Sequence, residues 1–177
     1  MQGASYFCVT EACGTECFYD DCWRRHNPNG QAINRPTGGK EYWIHGQRHR
    51  EGKPAVKFCD GTRMYFLNGV RHRDESQGPA ILYADGVGFE YWVNGELHRS
   101  GDLPAVVLKD GTQQYWCHGK LHRDNNEPCV MRADGETCWF VHGLLHRLDG
   151  PAIIGANGRL EYWINGVLQY IIQPPGQ

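Results

Sequence analysis

The sequence of 177 residues is poor in the residues that build thick globular cores. Leu, Ile, Val and Phe number 35 in all, about a fifth, which is low for a globular domain. Disorder is not the alternative, because net charge is only -2 and aromatics make up 12%, including 6 Trp. Lysine is also scarce, 5 against 13 Arg. The pI near 6.5 gives no general pull toward nucleic acid or anionic lipid. No run approaches the ~18 apolar residues of a membrane span. Met1 to Thr10 holds neither a cationic segment nor a long apolar run, so no secretory signal is expected. The eight Cys are therefore expected as reduced thiols in a cytoplasmic compartment, or in a host cytoplasm for a viral chain. Helical periodicity is missing from every segment longer than about ten residues.

What the chain has instead is repetition. His49-Arg50, His72-Arg73, His98-Arg99, His122-Arg123 and His146-Arg147 recur at spacings of 23, 26, 24 and 24. Gly stands three residues before each His, at Gly46, Gly69, Gly95, Gly119 and Gly143. Three before that Gly is Trp43, Phe66, Trp92, Trp116 or Phe140, with Trp163 ahead of Gly166. The preceding residue is aromatic too: Tyr42, Tyr65, Tyr91, Tyr115, Trp139 and Tyr162. Downstream come Pro54-Ala55, Pro79-Ala80, Pro104-Ala105, Pro128-Cys129 and Pro151-Ala152, each followed by Val or Ile. Five residues after each small residue lies Asp60-Gly61, Asp85-Gly86, Asp110-Gly111, Asp134-Gly135 or Asn157-Gly158. A degenerate half-copy precedes these, with His26 six residues ahead of Ala32-Ile33.

The chemistry of the unit is β. Asp-Gly and Asn-Gly supply positive φ at tight hairpin turns. The segments between turns are about a strand long, and Pro is tolerated at a strand's first position. Each unit reads as a hairpin of two short strands. The predicted fold is all-β: an elongated single-layer antiparallel sheet of tandem hairpin repeats with a Cys-rich N-terminal cap. Residues 1–40 form the cap and half-repeat, 41–168 five and a half repeats of about 24 residues, and 169–177 the C-terminal cap or tail.

The pattern Tyr-Trp-x-x-Gly-x-x-His-Arg…Gly-Pro-Ala-x4-Asp-Gly resembles a variant of the MORN repeat (membrane occupation and recognition nexus). The likeness covers roughly residues 41–168. Two features depart from that family: Arg follows the His where Gly is usual, and Tyr and Trp are adjacent. The His-Arg…Pro-Ala flavour looks like repeats of bacterial, phage and large-virus proteins. The resemblance implies an elongated hairpin sheet used for protein or lipid-headgroup binding and as a scaffold, usually without catalysis.

Stacked units place equivalent residues in rows, one per ~10 Å. Arg50, Arg73, Arg99, Arg123 and Arg147 form one row, about 17 Å from the Asp-Gly turns by strand length. They either stack on neighbouring aromatics or bind anions. The imidazoles of His49, His72, His98, His122 and His146 either cap turn backbone groups or join that surface. Trp43, Trp92, Trp116 and Trp163 are either core or an exposed docking face; Leu97, Leu121, Leu145 and Leu168 would extend such a face. Five equal copies do not make one catalytic constellation, so no enzyme is expected.

In the N-terminal segment, Cys8, Cys13, Cys17 and Cys22, with His26, are either ligands of one structural zinc, free thiols or a disulfide pair. Cys59, Cys117, Cys129 and Cys138 read as small apolar fillers. The function expected is binding of another macromolecule, most simply a protein, through the open sheet face or the His-Arg edge. The alternatives are an anionic ligand (phospholipid headgroup, nucleotide or RNA) on the Arg row, or a phage or viral inhibitor of a host complex. Edge strands could also pair two copies into a homodimer.

Overall fold

The computed structural model describes residues 6–84 and 86–175; the expected turn residue Asp85 lies outside them. Among the described residues the fold is all-β, with one 3-10 turn at Glu75–Gln77. The chain divides into two compact units. The first runs to Gly86 and takes in Val93–Gly95; the second comprises Val87–Trp92 and the chain from Glu96 onward.

In the first unit the strands of the main ladder pair antiparallel in succession. The order is Tyr6–Thr10, Glu16–Asp20, Ile33–Asn34, Lys40–Glu41, Val56–Lys57, Arg63–Met64 and Ile81–Leu82. The second unit is built alike, through Phe89–Glu90, Val106–Val107, Gln113–Gln114, Val130–Met131, Thr137–Cys138, Ile153–Ile154, Leu160–Ile164 and Val167–Ile172. Each unit is a single layer. All six residues of Val167–Ile172 are exposed, and this is the strand on which the expected edge pairing of two copies would fall.

The repeat holds a second hairpin that was not expected. At Tyr65 the chain leaves the main ladder. Its N–H donates to Ala80 O across the sheet (2.8 Å), while its carbonyl accepts from His72 N (3.3 Å) within the repeat. Phe66–Leu67 then pairs with Val70–Arg71 around Asn68-Gly69. Asn68 has φ 49° and Gly69 83°, the two positive values that a two-residue type I′ turn demands. Trp116–Cys117 with Lys120–Leu121 repeats this around His118-Gly119, at φ 45° and 72°. The sequence signal was the residue before the Gly, always Asn or His.

The Asp-Gly turns differ. In Leu108–Thr112 the Leu108 N–H reaches Thr112 O (2.9 Å), Gly111 N–H reaches Leu108 O (3.0 Å), and the Asp110 carboxylate accepts from Thr112 N (2.8 Å). That Asp is spent on its own turn.

The core of each unit is a set of small residues. Ala32, Ala55 and Ala80 in the first unit are fully buried beside Ile33, Val56 and Ile81; Ala105, Cys129 and Ala152 in the second are fully buried, beside Val106 and Val130. A side chain such as Ile81 contributes about 1.5–3 kcal/mol by leaving water, and a single layer offers one such place per repeat. This is how a fold with few aliphatic residues closes.

Candidate functional site

The His-Arg loops are held by aromatic rings. Arg50 lies 3.6 Å over Tyr42, Arg73 3.9 Å over Tyr65, Arg99 4.0 Å over Tyr91, Arg123 3.9 Å over Tyr115 and Arg147 4.0 Å over Trp139. Each guanidinium also donates Nη1 to the carbonyl of the following proline, Pro54, Pro79, Pro104, Pro128 or Pro151, at 3.0–3.3 Å. The planar group suits both contacts at once. One face is covered and one edge committed, so the loop closes around its own Arg.

The imidazoles tie one repeat to the next. The Nδ1 of His49 accepts from Asn68 N, that of His72 from Asn94 N and that of His146 from Asn165 N, each at 3.1 Å; His98 Nδ1 accepts from His118 N at 3.3 Å. His26 does the same for His45 N at 3.1 Å, which makes the half-copy a true member of the series. Where the turn residue is His, the rings stack, His26 on His45 at 4.3 Å, His98 on His118 at 4.2 Å and His122 on His142 at 4.4 Å, the last with the buried His122 Nδ1 making no hydrogen bond among the described residues. An Nδ1 that accepts leaves the neutral ring's proton on Nε2. Burial and the neighbouring His45 push the His26 imidazole below its ordinary pKa, with Asp20 pulling the other way.

The two aromatic rows are not equivalent. Tyr65, Tyr91, Tyr115 and Trp139 are buried beneath their Arg partners. Trp43, Trp92, Trp116 and Trp163 are half-buried, and each indole donates to an acceptor two residues back: Glu41, Glu90, Gln114 and Glu161, at 2.6–3.1 Å. Glu41 also takes Arg35 at 2.6 Å and Arg48 at 3.1 Å. Burial pushes its carboxyl up, and the hydrogen bonds from these two arginines more than reverse this.

Successive His-Arg loops leave a recess between them, floored by the aromatic pair of the later repeat. In the second unit one recess of about 250 Å³ lies between loops 99–104 and 123–128, over Tyr115 and Trp116. The next, about 460 Å³, lies between loops 123–128 and 147–151, over Trp139 and Phe140. The first unit repeats the construction over Tyr65 and Phe66 with about 220 Å³, and beside Tyr42 with about 420 Å³. Acidic residues follow each His-Arg pair and stand at the rims: Glu51, Asp74, Asp102, Asp124 and Asp149 are exposed. Asp102 binds Arg123 at 2.6 and 3.0 Å.

Cys8, Cys13 and Cys22 are exposed free thiols and Cys17 is a buried one. Cys17 accepts from Arg25 Nη1 at 3.2 Å. Among the described residues, three ligand atoms lie within 4.8 Å of one another in two groups, His98 with Cys117 and His118, and Asp20 with His26 and His45. Neither contains an N-terminal thiol. Both fall at the same place in the repeat, where the ladder His already spends its Nδ1 lone pair on a backbone N–H. A metal on that imidazole would have to break this bond.

No family model matches the chain, and no curated protein matches it. The likeness to MORN repeats therefore rests on the motif alone. Among the described residues no helix is long and apolar enough to cross a membrane.

Proposed function

We propose that the chain is a non-enzymatic repeat protein that binds another protein along its His-Arg edge. The observation that carries this reading is the recurrence of one recess between successive loops, each with an aromatic floor and a polar rim. Within the second unit two such recesses lie one repeat apart, which suits a long partner better than a small substrate. Exposed apolar residues at that edge, Leu103 and Leu148, add contact area that folding leaves unused. The alternative, an anionic ligand on the Arg row, has less support, because every guanidinium there has a ring on one face and a proline carbonyl on Nη1.

The test is site-specific photocrosslinking in cells. A photoreactive residue at Leu103 or Leu148 is expected to capture the same partner, and one at Lys109 or Ala156, by the opposite turns, to capture none. Equal capture at all four positions, or capture only at the latter two, overturns the reading.

A further inference from the structure

The recesses of the second unit say more about the partner than its size. Their floors are apolar: Trp116 in one, Phe140 and Val141 in the next, with Leu148 beside them. Their rims are acidic: Asp102 and Asp124 for the first, Asp124, Glu127 and Asp149 for the second. The cations of the same loops are withdrawn. Within the chain Asp124 lies 3.3 Å from His122 Nε2, and Asp149 lies 3.4 Å from Arg147 Nε and accepts from Asn126 Nδ2 at 2.7 Å. Yet the carboxylates are the outward partners, with Asp124 85% and Asp149 66% exposed against 14% and 18% for the side chains of Arg123 and Arg147. An approaching ligand meets carboxylates first and guanidinium groups last. An apolar floor under an anionic rim is the complement of a long basic side chain, which lays its methylene stem on apolar surface and keeps its charged head near the edge. Opposed charge at a rim also speeds encounter and selects against like-charged partners.

Spacing adds a second constraint. Adjacent recesses are one repeat apart, two strands of the sheet, or ~9.6 Å at about 4.8 Å per strand. A polyproline II peptide advances about 3.1 Å per residue with three residues per turn, so every third side chain returns to one face after ~9.3 Å.

We propose that these two recesses each take a lysine or arginine side chain from one extended peptide segment whose basic residues recur at every third position. This rests on the edge reading above and deepens it by naming the partner's chemistry. Arg99, Arg123 and Arg147 shape the floors by stacking on Tyr91, Tyr115 and Trp139, and Asp124 and Asp149 supply the charge that the ligand pairs with.

The test is fluorescence anisotropy with the full chain and three dye-labelled synthetic peptides. The first has lysine at every third position in a proline-rich background, the second has the same composition with its lysines adjacent, and the third has glutamate in place of lysine. The spaced-lysine peptide is expected to bind best, more weakly as salt rises, and about tenfold more weakly to the Asp124→Asn/Asp149→Asn double variant, whose melting should stay near that of the parent. Leu148→Ser is expected to weaken it as well. Equal affinity for the adjacent-lysine peptide overturns the proposal, as does undiminished binding to the double variant. Preference for the glutamate peptide overturns the cationic ligand and leaves the edge reading standing. No binding by any of the three also overturns it, while the crosslinking outcome judges the edge reading separately.

Discussion

The indole Nε1 of Trp116 donates to Oε1 of Gln114, two residues earlier, at 2.9 Å, across the Tyr115 junction where the chain passes from the main ladder into the second hairpin. Only one residue separates the partners, so the pair is local and each repeat can set it separately. Trp43, Trp92 and Trp163 sit with Glu41, Glu90 and Glu161. Where the aromatic is Phe, as at Phe66 and Phe140, the partner position is Met64 or Cys138. Donor and acceptor vanish together. The physical reason is the cost of leaving a partly buried polar group without its partner.

This gives a double-mutant prediction. Trp116→Phe alone should destabilise by about 1–2 kcal/mol, because Gln114 keeps its burial and loses its donor. Adding Gln114→Met should recover part of that loss, as the Met64–Phe66 repeat already does. Urea unfolding of the two single variants and the double closes the cycle. Additive losses would show that the bond contributes nothing.

The arginines are expected to matter for stability. Gln at Arg73, Arg99 and Arg123 removes three ring stacks and three proline-carbonyl bonds. Each stack is worth about 0.5–2 kcal/mol, so the triple variant should melt many degrees lower. If it instead keeps its melting temperature and loses salt-sensitive binding of a polyanion, the row is an anion site.

The recurrence of Gly, His and Arg made the antiparallel hairpin repeat legible before any coordinates, and it named stacking and turn capping among the roles of Arg99 and His98. Two things were not legible. The second hairpin depends on Asn68 or His118 adopting positive φ, and attention to Gly69 and Gly119 hid the residue before them. The recess rims were missed because Asp124 and Asp149 fall between His-Arg and Pro, a stretch whose length varies between repeats, where alignment on the motif has no fixed column. The sequence clustering of Cys8, Cys13, Cys17 and Cys22 did not say which faces the thiols take. Cys8 and Cys17 lie on paired strands, but Cys8 faces Phe18 and Cys17 faces Val9 in the register.

Thiol titration separates the cysteines by burial. Cys8, Cys13, Cys22 and Cys59 are exposed, while Cys17, Cys129 and Cys138 are buried. Burial pushes the Cys129 thiol up, and burial together with the Glu136 carboxylate pushes Cys138 up to about 11. A thiolate is the reactive form. A disulfide reagent at neutral pH should therefore modify the four exposed thiols quickly, and Cys129 and Cys138 only on unfolding, as mass spectrometry of timed samples would read. Rapid native modification of Cys129 would contradict the closed small-residue core of the second unit.

His26 is the group through which acid should act on the first unit. It is buried, its Nδ1 accepts from His45 N–H, and its pKa lies below the ordinary imidazole value. Protonating Nδ1 would turn that acceptor into a donor facing a donor. Because the folded pKa is depressed, the unfolded chain binds the proton more readily. The stability this confers is complete above about pH 6.5 and falls as pH drops through 6.5 toward the folded value. Asparagine at the same place offers an amide oxygen that does not titrate in this range. His26→Asn should therefore show a shallower fall in the urea midpoint between about pH 7 and 5 than the parent. Identical slopes would place the acid sensitivity elsewhere in the ladder.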